Sequence, residues 1–221
     1  MPESTQNRVV LVTGAGKGTG RAVSLAFATR GDVIAANDIT PINLDDTLKI
    51  IAAAGGRAQG YVADVAKKMP LQATIEQVLA DWGRLDILVT NARVAPQATI
   101  LEMDEWALRR TIEVNLTANF LALQSAGRVM REAGGGAIVL LVGAHHTGDG
   151  PQAAYQVSIA ALDTLALVAA QELWPFGVRV HAVHTQDKVQ EAICQVVLDL
   201  TSAVPVSDAQ QAFDPERVLV K

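Results

Sequence analysis

The chain has one cysteine, Cys194, in 221 residues. No internal disulfide can form, and the usage fits a reducing compartment. Aromatic residues are scarce, at 4%. No uninterrupted run of about 18 apolar residues occurs, so no segment is expected to span a membrane. The N-terminus, MPESTQNRVV, lacks the basic–apolar–cleavage order of a secretion signal. Basic residues are scattered and the formal net charge is −5, which argues against nucleic acid or an anionic membrane as the main partner. These absences point to a soluble protein of the cytoplasm.

Half of the residues are apolar, enough for a substantial core. Arg8–Thr13 (RVVLVT) is a β-branched run ending in a glycine-rich turn, the pattern of a buried strand. Further strands are expected at Asp32–Asn37, Arg57–Val62, Leu85–Thr90, Ala137–Val142 and Val178–Val183, with an edge strand at Arg217–Val220. Helical stretches alternate with them: Thr19–Arg30, Leu44–Ala54, Leu71–Trp82, a long region from about Leu101 to Glu132, a helix from 152 to about Trp174, and Val189–Leu200. Strands alternating with helices imply a parallel sheet covered on both faces, and continuously apolar strands agree. The expected fold class is α/β, a Rossmann-type doubly wound sheet. No linker, repeat or low-complexity tract interrupts residues 1–221, which read as one domain.

The first strand runs into Thr13-Gly14-Ala15-Gly16-Lys17-Gly18-Thr19-Gly20, and a helix follows. Glycines there permit positive φ and let backbone N–H groups approach a pyrophosphate at the positive end of a helix. Asp38 closes the second strand about 20 residues on, where an acid suits a ribose 2′-hydroxyl and repels a 2′-phosphate, favouring NAD over NADP. The alternative is that the glycines only shape a tight turn.

Other motifs follow in order. Asp64-Val65 comes after the third strand and Thr90-Asn91-Ala92-Arg93 after the fourth. Asn115 sits in IEVNLTANF, Tyr155 heads the helix QAAYQVSIAALDTLALVAAQEL, and RVHAV (Arg179–Val183) precedes a turn. With the TGxxxGxG spacing of TGAGKGTG, this series resembles the short-chain dehydrogenase/reductase family from about Arg8 to Leu200. The resemblance implies NAD as cofactor. Its adenosine and pyrophosphate would lie against Gly14, Lys17, Gly18, Thr19, Gly20, Asp38, Ile39, Asp64, Val65 and Asn91. It implies catalytic positions at Asn115 and Tyr155.

The match then breaks. Family chemistry uses a tyrosine as acid/base, and a free tyrosine has a pKa near 10, about three units or roughly 4 kcal/mol from ionised at pH 7. In the family a lysine one helical turn on lowers that pKa and holds the nicotinamide ribose. Here that position is Ile159, neutral and without a donor. The family serine that orients the substrate oxygen falls at Val142 and Gly143, with no hydroxyl until Thr147. The Pro-Gly turn after the sixth strand reads His184-Thr185-Gln186-Asp187, and too few residues follow to form the family's substrate lid. Arg93 stands where the family has glycine, a bulky cation expected against adenosine. The adenosine half of the site largely survives, while the nicotinamide and substrate half has lost its parts.

Other groups carry weaker signals. His145, His146 and His184 lie at strand ends and read either as exposed loop histidines or as a replacement base or metal ligands with Asp149 or Asp187, though no spacing matches a ligand motif. His181 reads as a hydrogen-bonded residue inside the sixth strand, and Cys194 as a buried, inert thiol. Asp104, Glu105, Arg109 and Arg110 read as a solvated helix face. The Tyr155 helix is apolar nearly all round, which suggests burial on both sides. In the family the long helices around Asn115 and Tyr155 pair with those of a second subunit. The same pairing is expected here, along a stripe of Ile159, Leu162, Ala166 and Ala170, with Ile159 facing the core beside Tyr155 and the seam carried mainly by the alanines. The leading reading is therefore a degenerate family member: the structural or regulatory subunit of a heteromeric NAD-dependent dehydrogenase, partnered by a catalytically intact paralogue. Such an arrangement resembles two-subunit hydroxyacyl-CoA dehydrogenases, that of the benzylsuccinate pathway being one example. Two alternatives stand beside it: an active NAD-dependent oxidoreductase using Tyr155 and Asn115, and a nucleotide-sensing module.

Overall fold

The computed structural model describes residues 7–143, 152–185, 190–202, 216 and 218–220. Seven parallel strands form one sheet in the order β3-β2-β1-β4-β5-β6-β7. They are β1 (Val9–Thr13), β2 (Val33–Asp38), β3 (Arg57–Val62), β4 (Ile87–Thr90), β5 (Gly136–Val142), β6 (Val178–His184) and β7 (Leu219–Val220). Helices α1 (Gly18–Thr29), α2 (Pro41–Ala53), α3 (Lys68–Trp82), α4 (Glu105–Ile112), α5 (Ala118–Glu132), α6 (Ala153–Leu173) and α7 (Gln190–Thr201) supply the outer layers. This is the α/β, Rossmann-type fold expected from the alternation.

Strand periodicity divides the core in two. Side chains alternate across a sheet, so Val9 and Leu11 face α3, α5 and α6, while Val10 and Val12 face α1, α2 and α7. On the first face Leu71, Ile75, Ala126, Met130, Ile159 and Ala166 pack together. On the second, Val23, Phe27, Leu44, Ile51 and Val197 do so. The strand order reverses direction between β1 and β4, whose neighbours Val12 and Val89 pair directly. A crevice opens there beyond the carboxyl ends of the strands, the ordinary ligand position of such sheets.

Several boundaries differ from expectation for identifiable reasons. The long region from Leu101 to Glu132 is not one helix. It starts at Glu105, where the Asp104 carboxylate accepts a hydrogen bond from the Ala107 N–H at 2.9 Å, and it is interrupted by a π-helical turn over Glu113–Thr117. Helix α2 begins at Pro41 rather than Leu44, because proline is favoured in a first turn, where its missing N–H costs nothing. Val189 and Arg217, expected in the last helix and the edge strand, lie outside the described residues.

Helix α6, with the 3₁₀ turn Trp174–Phe176 that follows it, is long and apolar enough by composition to cross a membrane. Its inner face is core. Ile159 faces the core beside Tyr155, as expected, at 1% exposure; the alanines expected to carry a subunit seam also face inward, with Leu162, Ala166 and Ala170 buried in the chain's own interior. The apolar outer face is a different stripe, marked by Val157 at 65% and Val168 at 48% exposure. An all-apolar helix gives no periodic signal for which side faces the sheet, and that is why the stripe was misplaced.

Candidate active site

On the β1–β2 side, the turn after Thr13 closes on itself. Gly14 has φ +63°, and a side chain on Gly20 would place its Cβ 2.2 Å from the Gly14 carbonyl oxygen. The Asn91 amide donates to that same oxygen at 2.9 Å, and its backbone N–H donates to Thr13 Oγ1 at 3.1 Å, tying the end of β4 to the turn. Asp38 accepts from the Gly16 N–H on Oδ2 and from the Thr40 N–H on Oδ1, both at 2.9 Å. A carboxylate has about four lone-pair sites, so two remain for ribose hydroxyls. The Arg21 guanidinium lies beside the turn, donating to the carbonyl oxygens of Gly16 and Asn43. Lys17 precedes α1 and its side chain makes no capping bond. Ile39 is exposed next to Asp38, and Val65 is buried.

At the end of β3, Asp64 accepts from the Ala66 N–H on Oδ1 and from Arg110 on Oδ2 at 3.1 Å. Arg110 also donates to Glu113 at 2.9 Å, and Lys67 pairs with the same carboxylate. The Glu113 carboxyl is held below its ordinary range first by the Lys67 ammonium and then by Arg110. Glu105 and Arg109 form the solvated helix pair expected of them. Arg110 does not: it is half-buried and engages Asp64, a contact that the linear sequence does not signal.

Across the crevice, Asn115 lies within the π-helical turn and is buried. Its Oδ1 accepts from the Val94 N–H at 2.9 Å, and its Nδ2 donates to the Val94 carbonyl at 2.8 Å and to Ser158 Oγ at 2.9 Å. Ser158 Oγ in turn donates to the Tyr155 carbonyl at 2.7 Å. Asn115 thus clamps the loop after β4 to the first turn of α6, and both amide hydrogens are committed. Ser158 was missed by sequence reasoning, although a polar residue three positions after Tyr155 on an apolar helix is a visible irregularity.

Tyr155 is 6% exposed and packs in the same cluster as Ile159. A Cβ built on Gly143 would lie 1.8 Å from the Tyr155 hydroxyl and 3.2 Å from Arg93 Nη1. The phenol oxygen therefore fills the space where a side chain at 143 would begin, and the guanidinium stands within about 5 Å of it. Burial pushes the Tyr155 phenol above its ordinary pKa, and the nearby Arg93 cation opposes that shift without reversing it. Arg93 was expected against adenosine. Its side chain instead reaches the opposite half, loosely donating to Thr185 Oγ1 at 3.5 Å.

His184 ends β6. It was read as an exposed loop histidine, but it is buried, with Nε2 2.9 Å from Asp163 Oδ1 on α6. His181 is half-buried within β6. Cys194 is buried on α7, and burial raises its thiol pKa. His145, His146, Thr147, Asp149, Gln186 and Asp187 lie outside the described residues.

Residues 8–187 match the short chain dehydrogenase family, and the chain belongs to it. Among its relatives, D-threitol dehydrogenase of Mycolicibacterium smegmatis is 37% identical over 177 residues, covering 80% of this chain and 68% of that protein. Subunit BbsD of (2S)-[(R)-hydroxy(phenyl)methyl]succinyl-CoA dehydrogenase from Thauera aromatica is 33% identical over 178 residues, covering 80% and 72%. A crystal structure of NAD⁺-bound xylitol dehydrogenase superposes with a TM-score of 0.78 at 27% identity, covering 98% of this chain and 83% of that one.

Proposed function

We propose that this chain does not transfer hydride by itself and serves as the structural or regulatory subunit of a heteromeric NAD-linked alcohol or hydroxyacyl-CoA dehydrogenase. The state of Tyr155 carries the reading. Acting as a base toward an alcohol at pH 7 requires a tyrosine pKa lowered by about three units, and here burial moves it the other way. The residue one helical turn on, Ile159, is a core side chain. Restoring a serine at 143 would collide with the phenol itself.

NAD, when bound, supplies the hydride acceptor of such reactions. The residues that would hold its adenosine and pyrophosphate fit: the side-chain-free cradle of Gly14 and Gly20, the open lone pairs of Asp38, and the helix start at Lys17, Gly18 and Thr19. The NAD⁺-bound relative supports this assignment. Ile39, Asp64, Val65 and Asn91 border the same half. The nicotinamide half does not fit. Ile159 offers no donor to a ribose, and the Arg93 guanidinium stands at the mouth. In this reading Asn115 is a clamp rather than a catalytic residue.

The subunit role is supported by the Thauera aromatica relative, itself one subunit of a CoA-ester dehydrogenase, and by exposed Phe120, Val157 and Val168 on α5 and α6. Through that face the chain would pair with a catalytically intact paralogue. Purified alone, it should oxidise neither secondary alcohols nor hydroxyacyl-CoA esters with NAD. Val168→Arg should release it from the co-expressed partner and lower the partner's rate. NAD-linked turnover abolished by Tyr155→Phe would contradict the first point, and an unchanged complex the second.

Arg93 favours a second reading, in which its cation replaces the missing lysine and Tyr155 works as a neutral acid toward a substrate carbonyl. That reading requires turnover in the isolated chain, lost in both Tyr155→Phe and Arg93→Gln.

A further inference from the structure

Most guanidinium groups in the described structure are spoken for. Arg8 pairs with Asp32, Arg84 with Asp86, Arg109 with Glu105, and Arg110 with Asp64 and Glu113, while Arg21 donates to backbone carbonyls. Arg93, like Arg30, Arg57, Arg128, Arg131 and Arg179, has no carboxylate partner among the described residues; it stands beside the Tyr155 hydroxyl, and its hydrogen bond is the loose 3.5 Å approach to Thr185. The Thr185 hydroxyl donates to the Val142 carbonyl at 3.2 Å and accepts from a single guanidinium nitrogen, so the other guanidinium N–H groups find no partner among the described residues. The neighbouring Tyr155 hydroxyl also has no hydrogen-bond partner among the described residues, although the tyrosine is 6% exposed. Two donors therefore stand within about 5 Å of each other at the ends of β4 and β5, the phenol with no acceptor among the described residues and the guanidinium with only the 3.5 Å approach to Thr185.

We propose that Arg93 and Tyr155 form a binding site for a ligand carboxylate at the position of the dismantled reacting centre. The chemistry fits a carboxylate in two ways. A guanidinium presents its N–H groups as a planar fork that a carboxylate matches with two oxygens, and a neutral phenol adds a third donor. The site also holds one cation, which balances a monoanion and under-compensates a phosphate dianion in a chain of net charge −5. A phenol that remains protonated is an asset here, because it must donate. The site shares with the proposed function the premise that Tyr155 stays neutral, but it does not depend on the absence of turnover.

The test uses the full chain and three probes: sodium benzoate, its uncharged analogue benzamide, and inorganic phosphate, each titrated calorimetrically. Benzoate should bind and benzamide should not. Arg93→Gln should weaken benzoate roughly tenfold or more, as expected for losing a charge-assisted pair. Tyr155→Phe should weaken it by a smaller factor, roughly threefold to tenfold. Arg93 is exposed, so Arg93→Gln should melt at the wild-type temperature, and Arg93→Lys should recover part of the affinity. Benzamide binding as well as benzoate, phosphate binding more tightly, no detectable benzoate binding, or an unchanged affinity in Arg93→Gln each overturns the proposal. Benzoate binding in a chain that also turns over NAD keeps this site and removes only the non-catalytic reading. The reverse result removes only the site.

Discussion

The two halves of the crevice are built from different material. The β1–β2 half is made of backbone. Gly16 and Gly20 leave no room for a Cβ, Gly14 sits at a φ of +63°, and Asp38 and Asn91 are bonded into the turn by main-chain groups. The β5–β6 half is made of side chains, and at Gly143, Ile159 and Arg93 those side chains depart from the pattern that the family resemblance led us to expect. A site made of backbone is inseparable from the fold, so it is present wherever the fold is. A site made of side chains can change while the sheet stays intact, and here Tyr155 and Ile159 pack in the core.

The largest expected effect comes from trying to rebuild the side-chain half. Ile159→Lys places an ammonium at a position 1% exposed and should cost about 3 kcal/mol or more, read as a fall in Tm of about 2–4 °C per kcal/mol. A fully stable Ile159→Lys protein that gains NAD-linked turnover would mean the catalytic half is latent rather than lost. Gly20→Ala probes the other side. Its Cβ would meet the Gly14 carbonyl at 2.2 Å and the Asn91 amide at 2.7 Å, so stability should fall by about 2–3 kcal/mol and ADP-ribose affinity with it. Unaltered melting and binding would show that the turn is looser than described. Asn115→Ala removes three hydrogen bonds from a buried joint, for about 2 kcal/mol, measured by chemical denaturation; a loss below about 0.5 kcal/mol would discount the clamp.

The smallest effect is spectroscopic. In a Tyr61→Phe background, which removes the other tyrosine with a strongly raised pKa, Tyr155 should ionise above the ordinary value near 10. Because the folded-state pKa is raised, the neutral phenol's stabilising contribution is complete below about pH 10 and is lost as pH climbs toward the folded value. Arg93→Gln should push the midpoint higher still. A midpoint below 10 would place Arg93 in the lysine's role.

Much of this was legible in the sequence. All seven strands were legible to within two residues; β1, β2, β4, β5 and β6 read as buried apolar runs with little else they could be, while β3 (RAQGYV) and β7 were placed by their position in the strand–helix alternation. The glycine turn was legible because its context, strand before and helix after, is local. What depended on neighbours was not. The π turn at Asn115 has no propensity signal. The direction of Arg93 is set by a loop and a long flexible stem, and the pairing of Arg110 with Asp64 spans 46 residues. The inward face of α6 could not be read because its two faces are almost equally apolar. His184 was taken for a loop residue because β6 ran one residue further than its apolar pattern.

The central claim is that the cofactor cleft survives on one side only. Calorimetric titration of the full chain with NAD and with ADP-ribose tests it directly, because the two ligands share the adenosine, pyrophosphate and second ribose and differ by the nicotinamide. The account predicts the two affinities to agree within about threefold, roughly 0.7 kcal/mol. An affinity for NAD more than about tenfold tighter, worth about 1.4 kcal/mol, would mean that the Tyr155 half still recognises nicotinamide and would contradict it.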